Sequence, residues 1–384
     1  MTRYQTHVYL VSDQATPNLT PALDPDIRPE RAVLAVTPQA EHQARWLTTV
    51  LERHGVHCER LSLDDAYDLD SLRQSFRSYL QRCTEPVAVN VSGGSKPMSI
   101  AAFEVFAHAD QGVFYVNPRT DTLDWLHPTG IPAQAIADRV GLEDFLEAHG
   151  ASVHHLSRQA APASRLALYE EIVRLRGRWK KHGSIGLLNR YAQGARETLR
   201  SEEISPEHQR LLNELPGLFA EQGLLSWEGT RLVFPDEQAR RLVNGVWLEE
   251  YLFSRLLALK DSLPAMQDLA ANVVVRRNTD NGYVQNELDV ALLLDNRLWV
   301  LECKASNTFA PQNRVDQATR QSLYKLEALL TPLGGILARG MLVNVLPIGV
   351  NDQRRIDNNP RLCALTYRDF DDLDRHLHAR LAAQ

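Results

Sequence analysis

Two short runs, NELDVALLL (286–294) and RLWVLECKA (297–305), are separated by only Asp295-Asn296, and no other feature constrains the fold as much. Asp and Asn suit a two-residue β-turn because both tolerate left-handed backbone. A hairpin with that turn sets Leu294 opposite Arg297, and every other facing pair then keeps the same sum of numbers. Asp289 faces Glu302 in this register, and Glu287 faces Lys304. Facing side chains have Cβ atoms roughly 4.5–5.5 Å apart, and the two-residue period puts all four charged groups on one face. Leu288, Val290, Leu292 and Leu294, with Trp299, Leu301 and Cys303, fall on the other, apolar face. A slip of one residue would turn this pattern inside out. Two carboxylates so close repel unless a proton or a cation joins them. A hard divalent ion, Mg²⁺ or Mn²⁺, takes oxygen ligands and suits that position.

The 384 residues around this hairpin are 44% hydrophobic and 23% charged, which suffices for two or three domains with their own cores. Cys58, Cys83, Cys303 and Cys363 form no Cys-x-x-Cys pair, which argues against structural zinc and against a disulfide framework. The first ten residues lack the pattern of a signal peptide, and no run of about 18 apolar residues suggests a membrane span. A cytoplasmic protein is expected. A net charge of −6 does not advertise nucleic-acid binding, although acidic catalytic clusters and local basic patches coexist readily.

Three segments follow from the patterning. In residues 1–150 the strand-like runs 6–12, 32–37, 58–63, 86–92 and 112–117 alternate with helical spacing over 39–54, 70–82 and 97–109. That alternation predicts an α/β domain, a mainly parallel sheet with helices on both faces and a ligand site beyond the carboxyl ends of its strands. The Pro-, Asp- and Thr-rich stretch from Ser12 to Glu30 reads as a shaped loop. Residues 151–235 read as a linker (151–164), then Arg-rich helices, then a hairpin at 224–234 turning at Glu228-Gly229, compatible with a small winged-helix-like connector. Residues 236–384 open with a helix through VNGVWLEEYLFSRLLAL and continue as a second α/β domain around the hairpin above.

Asp289 followed by Glu302-Cys303-Lys304 resembles the PD-(D/E)xK nuclease superfamily, of restriction-endonuclease-like fold. The resemblance implies that Asp289, Glu302 and the main-chain carbonyl of Cys303 hold the metal. Lys304 would orient the attacking water or stabilise charge developing on the phosphate. A Glu on the preceding helix often completes such sites; Gly245-x-x-x-Glu249 points to Glu249, with Glu250 second. The chain departs from the pattern in having Leu288, not Pro, before Asp289. Gln321, Tyr324 and Lys325 on the next helix read either as packing and solvated positions or as contacts to a phosphate backbone.

In the first segment, the run Ser92-Gly93-Gly94-Ser95-Lys96-Pro97 joins a strand to the helical MSIAAFEVFAHA. Pro suits the first helical position, and free N–H groups at a helix start, aided by Lys96, make an anion site. It is neither a Walker A loop nor Gly-x-Gly-x-x-Gly. Strand, Ser-Gly-Gly-Ser-Lys-Pro-Met and helix together resemble the CRISPR-associated Rossmann-fold (CARF) domain over about the first 150 residues. That resemblance implies a homodimer binding a cyclic oligoadenylate, with Ser92, Gly93, Gly94, Ser95 and Lys96 in the ligand loop. Ser12, Gln14 and Asn18 after the first strand, and Asn117 after GVFYVN, are further candidates.

The two domains in one chain closely resemble the single-CARF CRISPR ancillary nucleases of type III defence. The resemblance implies activation by cyclic tetra-adenylate and cleavage of DNA and single-stranded RNA. Two other readings stand beside it: an activator-independent restriction- or repair-type nuclease, and a ligand-responsive winged-helix transcription regulator. His154-His155 reads as surface, and Trp179, Trp227 and Trp299 as core. The cluster Arg174, Arg176, Arg178, Lys180 and Lys181 reads equally as a solvated helix face or a contact to nucleic acid.

Overall fold

The computed structural model describes residues 4–279, 282–305 and 312–382. The first sheet holds β1 (Thr6–Leu10), β2 (Arg31–Val36), β3 (His57–Ser62), β4 (Val87–Asn90), β5 (Gly112–Asn117), β6 (Thr122–His127) and β7 (Gln134–Ala135). Their order is β3-β2-β1-β4-β5-β6-β7, with β1 to β5 parallel and the last two antiparallel, as the strand–helix alternation predicts for the main body. The apolar inner strands need cover on both faces. Helices Leu69–Leu80 and Lys96–His108 supply it on one side through Leu72, Phe76, Met98 and Phe106. Thr16–Leu23, Glu41–Arg53 and Leu142–Ala148 supply it on the other. Neighbouring β1 and β4 are where the strand order reverses, so the loops after them open on one crevice.

The stretch from Ser12 to Glu30 corrects its loop reading: it contains the helix Thr16–Leu23. Pro17 sits in the first turn, where no N–H is needed. Pro21, inside the helix, leaves the carbonyl of Pro17 without its backbone donor, and Asn90 Nδ2 donates to that carbonyl at 2.7 Å. A side chain 73 positions away thus rescues a helix that local composition argues against.

The second sheet has the order β15-β14-β13-β12-β11-β8. Its strands are β8 (Ala151–Ser157), β11 (Met266–Thr279), β12 (Gly282–Leu294), β13 (Arg297–Lys304), β14 (Arg339–Asn344) and β15 (Leu362–Leu365). Residues 151–157, read from sequence as linker, are therefore an edge strand antiparallel to β11. Short and half exposed, β8 lacks the apolar run that marks an inner strand. Helices Ala163–Arg174, Arg176–His182, Ser184–Gly194, Pro206–Leu212 and Leu215–Glu221 then precede the hairpin of β9 (Ser226–Glu228) and β10 (Arg231–Val233). Its turn is Gly229-Thr230, one residue later than expected, because Glu228 pairs with Arg231. Trp179 and Trp299 are core as expected, whereas Trp227 lies 42% exposed on this hairpin.

One apolar cluster runs from β1 and β2 through helix Leu142–Ala148 to the face of the second sheet that carries Leu293 and Leu298, and on to Leu326 of helix Gln312–Gly334. The two domains therefore share a core. His149 closes that helix, stacked on Phe145 at 4.5 Å and bonded through Nδ1 to the Phe145 carbonyl at 2.8 Å. Burial pushes its pKa down to about 4, outweighing the bond to Phe145. The unfolded chain takes up this proton near pH 6.5 and the folded chain only near 4, so stability falls as pH drops through that window. Relative to wild type, His149→Phe should gain up to about 3 kcal/mol between pH 7 and 4 in urea titrations; a constant difference would show that His149 does not titrate there.

Candidate active site and ligand loop

The β12–β13 ladder runs Leu294–Arg297, Leu293–Leu298, Leu292–Trp299, Ala291–Val300 and Val290–Leu301, the register drawn from the sequence. Asp295 and Asn296 both have left-handed backbone, with φ of 49° and 53°, as the turn requires. The ladder then stops, one pair short of the two acids. Asp289 turns its carboxylate into the gap and accepts the Cys303 N–H at 2.7 Å through Oδ2. In an extended strand the N–H and C=O of one residue point the same way, so the Cys303 carbonyl faces this gap too.

The fork has a cause on the neighbouring strand. Asn272 on β11 takes φ of 50°, and no pair forms between it and Asp289. Side-chain alternation reverses across this point: Leu269 and Ala271 lie in one core, Val273 and Val275 in the other. On β12 the same reversal puts Leu288 in the core opposite to that of Val290, Leu292 and Leu294. The expectation that Leu288 shares their face is corrected, and Glu287 pairs with Val274 and lies 3.4 Å from Arg241 Nη2 instead of meeting Lys304.

Within the fork Glu302 is buried, and its two oxygens meet Lys304 Nζ at 2.8 Å and Lys325 Nζ at 2.9 Å. Lys325 thus touches a catalytic candidate, a role the sequence did not assign it. Burial, reinforced by the Glu302 charge, raises the Asp289 carboxyl to about 6. Its ionised form is therefore disfavoured in the fold relative to the unfolded chain. Burial also opposes ionisation of Glu302, but Lys304 and Lys325 together hold its carboxyl below the ordinary range. Glu249, from helix Trp247–Leu259, is pushed well up by burial and then by the Asp289 and Glu287 charges. Glu250 faces elsewhere, accepting the Tyr169 hydroxyl at 2.8 Å. The helix expected from 236 onward is broken by a π-turn over Leu242–Val246 with Gly245 at φ 119°, and this bend precedes Glu249.

Among the described residues no three His, Cys, Asp or Glu side chains stand close enough to hold a metal by themselves. The donor set fits a divalent ion nonetheless, because two buried carboxylates, one of them disfavoured by the charge of the other, and one carbonyl border the gap. Asp289, Glu302 and the Cys303 carbonyl would hold it.

At the other end of the chain, the loop after β4 is shaped by close approach. A Cβ on Gly93 would lie 2.3 Å from the Leu10 carbonyl, and Gly94 has φ of 72°. Ser92 Oγ donates to Asn90 Oδ1 at 2.7 Å and accepts the Val116 N–H at 2.6 Å. Ser95 caps helix Lys96–His108 by accepting the Met98 N–H at 3.2 Å, which leaves Lys96 exposed at the helix start. Asn18 is buried beneath this loop, donating to the Leu10 carbonyl at 2.9 Å and accepting from Asn90 at 3.0 Å. Ser12 is half-buried and accepts the Gln14 N–H at 3.4 Å. Gln14 is turned to the second domain, where its Oε1 accepts the Ile336 N–H at 3.1 Å. Asn117 folds the β5–β6 turn, accepting the Arg119 N–H at 3.1 Å.

Residues 6–145 match the family described as the Card1 CARF domain, and residues 236–383 the family described as the Card1-like endonuclease domain. Among solved structures, protein VC1899 from Vibrio cholerae is 28% identical, with a TM-score of 0.85 over 98% of both chains. Can2 from Sulfobacillus thermosulfidooxidans, solved with cyclic tetra-adenylate, is 23% identical, with a TM-score of 0.80 over 98% of this chain and 99% of that one. A type III CRISPR defence DNA nuclease activated by cyclic oligoadenylate is 21% identical, with a TM-score of 0.60 over 95% of this chain and 48% of its own. No curated protein sequence matches. The N-terminal domain thus belongs to the Card1 CARF family and the C-terminal domain to the Card1-like endonuclease family, which makes this chain a nuclease joined to a CARF domain.

Proposed function

We propose that the protein is a cyclic tetra-adenylate-activated, divalent-metal-dependent nuclease of type III CRISPR defence, working as a cytoplasmic homodimer on DNA and single-stranded RNA. The observation that carries the nuclease chemistry is the fork, where Asp289 and Glu302 lie buried beside Lys304. Mg²⁺ or Mn²⁺ bound there supplies Lewis acidity and lowers the pKa of its water. Lys304, released from Glu302, holds the attacking water or the charge on the phosphate, and Glu249 completes the acidic side of the cleft.

Cyclic tetra-adenylate is the ligand bound by Can2, whose fold this chain shares over nearly its full length. Ser92, Gly93, Gly94, Ser95 and Lys96 form the phosphate-facing loop, with Ser12, Gln14, Asn18 and Asn117 shaping or lining the crevice. Exposed Ile100 and Phe103 on the helix after this loop, 51% and 40% accessible, support pairing of two copies there. Coupling to the nuclease has a physical route. Asn296, in the turn that joins the catalytic strands, donates to Asp121 at 2.8 Å and Asp138 at 3.2 Å, and Arg297 donates to the Pro118 carbonyl at 2.6 Å. The ring switches the enzyme to the extent that it binds the active arrangement more tightly than the resting one.

Cleavage of plasmid and single-stranded oligonucleotides with and without cyclic tetra-adenylate in Mn²⁺ buffer tests this function. Glu302→Ala and Lys304→Ala should each lower cleavage by at least about a thousandfold while ring affinity stays at the wild-type value; retained cleavage would remove these residues from the mechanism. Ring-independent wild-type activity would identify an unregulated nuclease instead. Gly93→Ala, which drives a methyl into the Leu10 carbonyl, should weaken ring binding at least about tenfold, and unchanged binding would place the ligand elsewhere.

A further inference from the structure

The cleft beside the fork is not built by the nuclease domain alone. A cavity of about 610 Å³ is shared between Glu249 and Lys304 on one wall and Asn189, Gln193 and Arg196 of the connector on the other. Its size falls in the range of ligand-sized clefts, about 300–1,000 Å³. A second cleft of about 500 Å³ meets it at Arg241 and continues to His155 on β8. Asn244 Nδ2 donates to Gln193 Oε1 at 2.8 Å, which ties the π-turn to the connector helix Ser184–Gly194 and fixes the spacing of the two walls.

Arginines of the connector and of the adjoining helix Glu237–Arg241 differ sharply in what they already hold. Arg176 is buried on the carbonyls of Tyr367 and Val173, Arg174 is paired with Glu171, and Arg178 with Glu214. Arg240 in the cleft wall is held by the Ala192 carbonyl and by Glu237. Arg196 is exposed and makes no side-chain hydrogen bond or ion pair among the described residues. Arg241 has a single 3.4 Å contact, to exposed Glu287. Of the three arginines that line the cleft with Lys304, Arg196 and Arg241 are therefore the less committed, Arg240 being held on both sides.

We propose that Arg196 and Arg241 form a phosphate-binding wall that seats the backbone of a nucleic-acid strand across the catalytic fork, so that the connector is part of the substrate site. The proposal rests on the nuclease reading for its meaning but not for its test. Both are positioning residues; they bind phosphates flanking the one that reacts, and a backbone contact of this kind is independent of base sequence.

The test is the affinity of the full chain, with cyclic tetra-adenylate present and divalent metal chelated, for a fluorescein-labelled single-stranded DNA of mixed sequence. Arg196→Ala and Arg241→Ala should each weaken binding about five- to tenfold at low salt, and each should reduce the slope of log affinity against log salt by about 0.7. Arg196→Lys should keep most of the affinity and the slope. Arg190→Ala, on the helix that leads to Arg196 but paired with Glu202 outside the cleft, should leave both unchanged. In Mn²⁺, the two Ala variants should raise KM with kcat within about twofold of wild type. Wild-type affinity and slope in both Ala variants, equal losses in Arg190→Ala, or no binding by the wild type would each overturn the wall. A wild type that binds DNA through these arginines but never cleaves it would overturn the nuclease reading and leave the wall standing.

Discussion

Two carboxylates buried against each other at the point where a β-ladder opens are the constraint on which this structure turns. Asp289 lies 8% exposed and Glu302 4%, so burial works against both charges. Glu302 stays ionised because Lys304 and Lys325 both bond it, while Asp289 has one backbone N–H and sits with its carboxyl raised to about 6. A fold selected for stability alone would have closed the ladder and placed apolar residues here. It is open instead, beside a left-handed Asn272 on the neighbouring strand. The resulting strain is of the kind that a bound cation relieves, and it is absorbed by the large apolar cores on both faces of the sheet.

The same hairpin gives the two domains a common mechanical element. Its open end carries the acids; its closed end, Asp295-Asn296, is fastened to the N-terminal domain through Asp121, Asp138 and the Pro118 carbonyl. Gln14, from the loop after β1, reaches the chain just beyond the helix that supplies Lys325. Changes at the crevice between β1 and β4 therefore bear directly on segments that end in catalytic candidates. No separate hinge is required, because the domains already share one apolar cluster.

How much of this was readable depends on where local pattern and long-range contact agree. The register from Leu294–Arg297 to Val290–Leu301 followed from a two-residue turn and strict alternation, both local properties. The reversal at Asp289 was not legible, since it arises from Asn272 on a strand that pairs only in the folded protein. The helix at Thr16–Leu23 was hidden because the donor that replaces the Pro21 N–H belongs to Asn90. Strand β8 looked like a linker because half its surface is solvated, and its identity comes from its partner β11. Arginine content marked the connector but not which of its arginines are already held: charge is visible in a sequence, whereas the carboxylates and carbonyls that hold Arg174, Arg176 and Arg178 are not. The Gly93-Gly94 loop was legible because only glycine meets both the close approach to Leu10 and the positive φ.

Direct titration of the full chain with Mn²⁺, followed by the electron paramagnetic resonance signal of the free ion, tests the fork without any turnover. Wild-type protein should bind Mn²⁺ at a site whose affinity falls at least about tenfold in Asp289→Asn and again in Glu302→Gln. Equal affinity in all three proteins would mean that these oxygens do not share an ion, and the account of the fork would be contradicted.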